Sequence, residues 1–245
     1  MTRYKIILEY HGRAFVGWQR QANGLAVQEV IENAIEKFSG EKVVTHVAGR
    51  TDAGVHAIGQ VCHFDLEKET DGRTVRDAIN FYVKPHPVSV LESEPVDNEF
   101  HARLSATKRI YLYKITNRRA PLAVEKGFSW HIPQELDVDV MNAAAETLIG
   151  KHDFTTFRAV GCQASSPVKT LDYLGVERDE GLVLISARAR SFLYHQVRNM
   201  VGTLKLVGLG KWTVDNVAEA LAARDRAKGG PTAPPHGLYL TEVVY

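Results

Sequence analysis

Cysteine is scarce: Cys62 and Cys162 are the only two in 245 residues. They form no CxxC pair and no spaced framework, which excludes a disulfide-stapled scaffold, suits a reducing compartment and argues against a structural zinc site. No apolar run is long enough to span a bilayer, and Met1-Thr2-Arg3-Tyr4-Lys5 enters a strand pattern without a leader. A cytoplasmic protein with no membrane partner is the expectation. An excess of either charge is also missing, with 30 Lys and Arg against 29 Asp and Glu. Bulk electrostatics therefore neither demands nor excludes a nucleic-acid partner, and a local basic face would have to do that work. The common motifs fail as well. Gly208-Leu209-Gly210-Lys211 lacks the upstream glycine and the following Ser/Thr of a phosphate-binding loop, and there is no GxGxxG after a strand, no HExxH and no GxSxG. His56, His63, His101 and His195 are scattered singly and read as hydrogen-bonded structural histidines, so no metal site is expected.

What is present fits a packed globular chain of one large or two ordinary domains, with 44% hydrophobic and 24% charged residues. Tyr4, Ile6, Leu8 and Tyr10 alternate with Lys5, Ile7 and Glu9, a half-buried strand. Val27, Val30, Ile31, Ala34, Ile35 and Phe38 fall at helical spacing, closed by Gly40. Strands over 43–50 and 60–66 follow. Next come a helix on Val75, Ala78, Ile79 and Tyr82, stopped by Pro85, and a strand from Val88 to Val96. This β-α-β-β-α-β order is that of a ferredoxin-like unit. After the crossing segment 99–103 the theme repeats: a strand from Arg109 to Thr116, a helix over Val138–Leu148, a long polar loop from His152 to Lys169, a hairpin about Asp179-Glu180-Gly181, a helix from about His195 to Val207, an extra helix started by Thr213, and a last strand from Leu238. The expected fold class is α+β: two ferredoxin-like halves, 1–103 and 104–245, forming a mixed, mainly antiparallel sheet with helices on one side and a central active-site cleft.

After the β-like run Val43 to Ala48 and before the one from Gln60 to Leu66 lies Gly49-Arg50-Thr51-Asp52-Ala53-Gly54-Val55-His56, one guanidinium and one carboxylate among glycines. Glycines permit tight turns and close ligand approach, and loops on a rigid scaffold often carry reactive groups. Taken alone, Asp52 reads first as a turn or capping residue. The loop with Trp18-Gln19-Arg20-Gln21 could contact a base or a phosphate, or be a surface loop with a packed tryptophan. Arg50, Asp52, Tyr111 and Arg198 are polar groups at element ends, but their spacing alone proves no site. Arg109, Arg118, Arg188 and Arg190 suit phosphate tracking or solvated strand faces equally well.

Several motifs in one order narrow this. Ala48 to His56, around Asp52, resembles the catalytic signature of the tRNA pseudouridine synthase A family. Gly17-Trp18-Gln19-Arg20-Gln21, Gln60-Val61 with His63-Phe64, and Phe100-His101-Ala102-Arg103 with Ser105-Ala106-Thr107 before Tyr111 resemble its other motifs. So do Gly150, Asp153-Phe154-Thr155, Phe157-Arg158-Ala159, Val197 to Gly202 and Gly237 to Leu240. Gln196 departs from the familiar methionine before V-R-N and lies off the apolar stripe of its helix. The resemblance implies isomerisation of uridine to pseudouridine at positions 38 to 40 of the tRNA anticodon stem-loop, with no metal or organic cofactor. It implies Asp52 as nucleophile, with attack at uracil C6 and at sugar C1′ both open. Arg50 would help extrude the base from its stack. Tyr111 would stack on the uracil and help move the C5 proton, Arg198 would pair with Asp52, and Leu238 would form an apolar wall. Phe100, His101, Arg103 and Gln163 are expected to contact the substrate. The family is homodimeric, with one tRNA touching both subunits. Two rivals remain: a non-catalytic RNA-binding protein of two ferredoxin-like units, and an Asp-nucleophile phosphotransferase, ranked last because the carboxylate pairs for its metals are missing.

Overall fold

A computed structural model describes all 245 residues. The chain divides into two compact units, residues 1–109 with 239–245, and residues 110–238.

The first unit is built on β1 (Thr2–Tyr10), α1 (Val27–Ser39), β2 (His46–Val47), β3 (His56–Leu66), α2 (Gly72–Tyr82) and β4 (Val88–Val96). Its sheet runs β4-β1-β3, antiparallel throughout, with β2 pairing antiparallel to the far half of β3. This is the βαββαβ unit the alternation predicts. Tyr4, Ile6, Leu8 and Tyr10 are buried on one face of β1, while Lys5 and Ile7 are half-buried and Glu9 is exposed on the other. Val30, Ile31, Ala34 and Ile35 of α1 and Val75 and Ile79 of α2 are buried, and α2 packs on β4 and on α1. Each such side chain contributes roughly 1.5–3 kcal/mol by leaving water. Gly40 ends α1 at φ +80°, the left-handed position a glycine favours, and Asp71 caps α2 by accepting from the Thr74 amide.

The second unit contains most of β5 (Lys108–Asn117), then β6 (Trp130–Ile132), α3 (Val138–Glu146), β7 (Gly150–Asp153), β8 (Val168–Asp179), β9 (Leu182–Ala189), α4 (Gln196–Gly208) and α5 (Val214–Ala223). The strand order is β5-β9-β8-β7, with β6 parallel to β5. Helix α3 packs on β8, α4 and α5. Thr213 caps α5 in a reciprocal box with Asn216. The last strand, β10 (Leu238–Val244), runs parallel to the start of β3 through Tyr239 and Leu240, and from Tyr239 onward belongs to the first unit. The ten strands, mainly antiparallel but mixed, and the five α-helices make an α+β fold.

Several local expectations need correction. The strand expected over 43–50 shrinks to His46–Val47, because the Thr45 amide and hydroxyl both donate to Glu32 Oε1 instead of to a neighbouring strand. The strand expected over 60–66 begins at His56, where it meets β10. The long polar loop from His152 to Lys169 contains the end of β7, a 3₁₀ turn over Thr155–Phe157 and the start of β8. The Asp153 carboxylate accepts from the Thr155 amide, and the Phe154 and Phe157 rings are fully buried.

His63, on β3, carries the clearest pH sensitivity of the first unit. It is buried, and its ring lies 4.9 Å from that of His46 and 4.8 Å from that of His101. Burial, reinforced by Arg3, His46 and His101 and opposed by Asp65, lowers its pKa from 6.5 to about 4. An unfolded histidine takes up its proton near 6.5 (about), so between that pH and about 4 the unfolded chain binds more protons. Stability is therefore full above that window and is lost as the pH falls through it. Thermal melts should show a midpoint that declines from pH 7 to 4.5. His63→Gln, which keeps an acceptor for the Ala102 amide that His63 Nδ1 now receives, should decline less steeply. Equal slopes for the two proteins would refute this assignment.

Candidate active site

The segment joining β2 to β3 is fixed on all sides by its own unit. The Ala48 amide donates to Val61 O (2.8 Å), Gln60 Nε2 to Gly49 O (2.8 Å) and the Trp18 amide to Thr51 O (3.0 Å). Gly17 and Asp52 form an isolated antiparallel bridge. The Arg109 guanidinium, buried, donates to Ala48 O (2.7 Å), Arg103 O (2.7 Å) and Ala106 O (3.2 Å). Asp52 O then accepts from the Val55 amide (3.1 Å), with Gly54 at φ +80°, which makes Asp52-Ala53-Gly54-Val55 a tight turn with its glycine in the left-handed position. The turn reading of Asp52 is correct for its backbone.

Side chains along this stretch alternate. Arg50 is exposed, Thr51 is buried and Asp52 is half-buried. In extended backbone, successive side chains point to opposite faces. Thr51 turns inward, its hydroxyl 2.7 Å from the Tyr10 hydroxyl, which also receives Gln60 Nε2 at 3.2 Å. Its two neighbours, Arg50 and Asp52, are exposed and partly exposed. Burial raises the Tyr10 phenol to about 12, against the lowering effect of its bonds to Thr51 and Gln60, so it remains a neutral hydroxyl at physiological pH.

The Trp18 loop proves to be scaffold. Trp18 is buried beside Tyr10, with ring centroids 6.2 Å apart, and Arg20 pairs with Glu32 at 3.1 Å. Gly17 has φ +116°, and a Cβ there would lie 2.8 Å from Thr51 O; at Gly12 it would lie 1.9 Å from Val55 O. Only hydrogen at these two positions lets the loop lie against the Asp52 turn.

Phe100, His101 and Arg103 also belong to the first unit. The Phe100 ring lies 4.9 Å from that of Tyr245 and 6.0 Å from that of His63. His101 Nδ1 accepts from the Arg103 and Leu104 amides, and the Arg103 side chain is exposed. No group of three or more His, Cys, Asp or Glu side chains is arranged to hold a metal ion. No helix is long and apolar enough to cross a membrane.

The other expected site residues lie in the second unit. Tyr111, on β5, is half-buried and meets Phe192 edge-on, with centroids 5.2 Å apart and planes at 88°. Arg198, on the first turn of α4, is half-buried. Its Nε donates to Ala233 O (2.8 Å), and the Ala233 amide returns a bond to Arg198 O (3.1 Å). Its guanidinium Nε and its own carbonyl thus hold a neighbouring segment. Gln196 is likewise buried, and its Oε1 accepts from the Leu193 amide (2.8 Å), pairing a buried donor just ahead of α4. Gln163 is exposed, in a segment whose carbonyls at Cys162 and Ala164 both receive Arg158 Nη2. Leu238 is buried directly after the turn Pro235–Gly237, which Tyr113 fastens by donating to Pro234 O (2.8 Å).

A family model described as tRNA pseudouridine synthase matches residues 6–104 and 144–245. The chain belongs to the tRNA pseudouridine synthase family. The family's members are isomerases acting on tRNA uridines. A tRNA pseudouridine synthase A of Paramagnetospirillum magneticum is 58% identical over 245 residues, all of this chain and 96% of that relative. One from Rhodospirillum centenum is 58% identical over the full length of both chains, and one from Parvibaculum lavamentivorans is 55% identical, also over both full lengths. The family match takes in the Asp52 turn, the mid-chain Phe100–Arg103 motif, Arg198 and Leu238. Tyr111 falls in the interval 105–143 between the two matched stretches, within the span that these full-length relatives cover.

Behind the turn of this synthase lie the hydrogen-bonding side chains of Tyr10, Thr51 and Arg109. Thr51 lies inside the Ala48–His56 motif, Tyr10 shows as a member of a strand pattern, and Arg109 as one of four arginines suited to phosphates or a solvated strand face. Gly17 supplies a direct test of the scaffold. Gly17→Ala should cost on the order of 1–3 kcal/mol in denaturant unfolding through its strained φ, and should lower activity as well by pushing on Thr51 O. Gly40→Ala, also at positive φ but with nothing within 4 Å of its Cβ, should lower stability and leave activity per folded molecule unchanged. Equal activity in the two variants would refute a role for Gly17 in holding the turn.

Proposed function

We propose that this chain converts uridine to pseudouridine at positions 38 to 40 of the tRNA anticodon stem-loop, with Asp52 as the nucleophile. The observation that carries the reading is the Asp52 turn. A half-buried carboxylate, with its backbone held by Gly17 and Val55, lies two residues from an exposed guanidinium, Arg50. Preset geometry of this kind lowers a barrier by removing the entropy of finding it. In the reaction the C1′–N1 bond breaks and a C1′–C5 bond forms. The proton lost from C5 is matched by one gained at N1, so the change is an isomerisation with no net redox step.

A base inside a stacked stem is out of reach of a side chain on a loop, so the nucleotide must be extruded. Arg50 acts on the RNA in that step and Asp52 acts on the nucleotide. Tyr111, with its ring already braced by Phe192, stacks on the uracil and assists the C5 proton transfer. Arg198 pairs with the Asp52 carboxylate, and Leu238 contributes apolar wall. Phe100, His101, Arg103 and Gln163 contact the RNA. Stacking tolerates changes of sequence, which suits three adjacent target positions. The protein works as a cytoplasmic homodimer, with one tRNA contacting both subunits.

The test is tritium release from unmodified tRNA labelled at uracil C5, together with mapping of the product positions. The wild type should release tritium and place pseudouridine at 38 to 40. Asp52→Asn should lose at least about 1,000-fold in turnover, the scale seen when a covalent nucleophile is removed, and should bind tRNA with little change. A folded wild type that releases no tritium, or an active Asp52→Asn, would falsify the reading. Light scattering tests the dimer separately.

A further inference from the structure

A chain of three buried hydrogen-bonding side chains lies behind the Asp52 turn, and the chemistry does not touch it. Gln60 is fully buried on β3. Its amide nitrogen donates both protons, one to Gly49 O (2.8 Å) and one to the Tyr10 hydroxyl (3.2 Å). Tyr10, 5% exposed, lies 2.7 Å from the Thr51 hydroxyl, and Thr51 is 6% exposed. The direction of the chain follows from proton counting. Gln60 Nε2 can only donate, so one lone pair of the tyrosine oxygen is occupied. Were Thr51 also to donate to that oxygen, the phenolic proton would be left buried without this acceptor, which is costly. Tyr10 therefore donates to Thr51. The phenol, raised to about 12 mainly by burial, retains that proton through the working range.

We propose that Gln60, Tyr10 and Thr51 form a register pin: they are positioning residues that set which side chains of the loop face the substrate. The inference rests on the reading of Asp52 as nucleophile. Its physical basis is the two-residue period of extended backbone, in which a slip by one residue exchanges the faces. Thr51 is the one side chain between Arg50 and Asp52. Anchoring its hydroxyl inward puts its two neighbours outward together. Gln60 holds the same segment one peptide earlier, at Gly49 O, so that the stretch is fixed at two points by one amide group. A valine at position 51 would fill a similar volume but offer no acceptor to Tyr10. The pin thus relies on the hydroxyl as well as on apolar packing.

The experiment measures kcat and KM for tritium release by the full-length protein on unmodified tRNA, with melting midpoints recorded alongside. Tyr10→Phe and Thr51→Val should lower kcat by at least about tenfold, or about 1.4 kcal/mol of barrier, with the KM for tRNA within twofold of wild type. Thr51→Ser, which restores the hydroxyl, should recover most of the loss. Tyr4→Phe is the control: Tyr4 lies on the same strand, and its hydroxyl donates to Thr70 O, so the variant should match the wild type in both constants. Gln60→Glu adds a signature that simple destabilisation lacks. A buried carboxyl has a raised pKa and can donate a hydrogen bond only when protonated. The ratio of variant to wild-type kcat should therefore rise as the pH falls from 8 to 6. An active wild type whose Tyr10→Phe and Thr51→Val variants keep full kcat, or lose only in KM, overturns the proposal and leaves the Asp52 reading standing. So does failure of Thr51→Ser to recover activity while folded. A wild type without tritium release overturns both.

Discussion

The fold of the first unit converges on a backbone contact, the close apposition of Gly17-Trp18 with Thr51-Asp52. A bridge between Gly17 and Asp52, with the Trp18 amide on Thr51 O, joins two segments that are loops by sequence. Neither has a helix or a strand of its own to satisfy its peptide groups. Buried backbone donors and acceptors must be paired, and here each loop supplies the other's partners. The requirement for a bare Cα at Gly17 and Gly12 follows directly, since any side chain would separate the two backbones by more than a hydrogen bond can span. Trp18 then fills the space beneath, against Tyr10. A loop tied in this way behaves as part of the sheet, as a reactive group on a loop needs.

The second unit solves a similar problem by another route. The segment 229–237 has no regular structure beyond a 3₁₀ turn, yet it lies against α4, whose interior-facing polar groups receive it. Asn199 Oδ1 accepts from Thr232 and Arg226, the Gly230 amide donates to Thr203 Oγ1, and Arg198 holds Ala233. Gly202 permits the approach, since a Cβ there would stand 1.7 Å from Pro231 O. Helix α4 is therefore buried almost all round while carrying Gln196, Asn199 and Thr203 at 0–1% exposure. Each of these is satisfied by backbone or side-chain partners, so burial carries little of the usual penalty. The V-R-N-M-V-G run is a docking strip for that segment, and Arg198 lies at its end.

What the sequence revealed, and what it hid, follows the range of the forces. β1, α1, α2, β4 and the β8–β9 hairpin were legible because a period of two or 3.6 and a local turn or cap specify them within ten or so residues. Gly40 and Glu180 in left-handed conformations mark ends that composition alone marks well. β2 was over-extended because its strand-forming residues are claimed by Glu32, thirteen positions earlier. The start of β3 was missed because its partner is Tyr239, and β6 and β7 are too short to show a period. The candidate site divided along the same line. Asp52, Arg50 and Arg198 were legible through motif resemblance. Tyr10, Gly17, Arg109 and Ala233 hold these segments from distant positions, and the strand alternation that marks Tyr10 or the motif that marks Gly17 says nothing of that pairing.

The histidines show why scattered polar residues here belong to structure. In His63 and His101, Nδ1 accepts a backbone amide, and in His56 it accepts the Gly12 amide (3.2 Å). A neutral imidazole whose Nδ1 accepts must carry its proton on Nε2. Nε2 then has no lone pair to offer a metal or a substrate proton, so none of the three is poised as a ligand or general base. The His63 ring stacks on His46 and meets His101 edge-on, and the His56 ring stacks on Tyr239, so they serve as flat, half-polar packing units. In the same unit the turn after β2 carries one carboxylate and one guanidinium, Asp52 half-buried and Arg50 exposed. Chemistry confined to so few groups depends on orientation more than on number. On the proposed reading, the inward-turned Thr51 serves the site through the placing of its two neighbours.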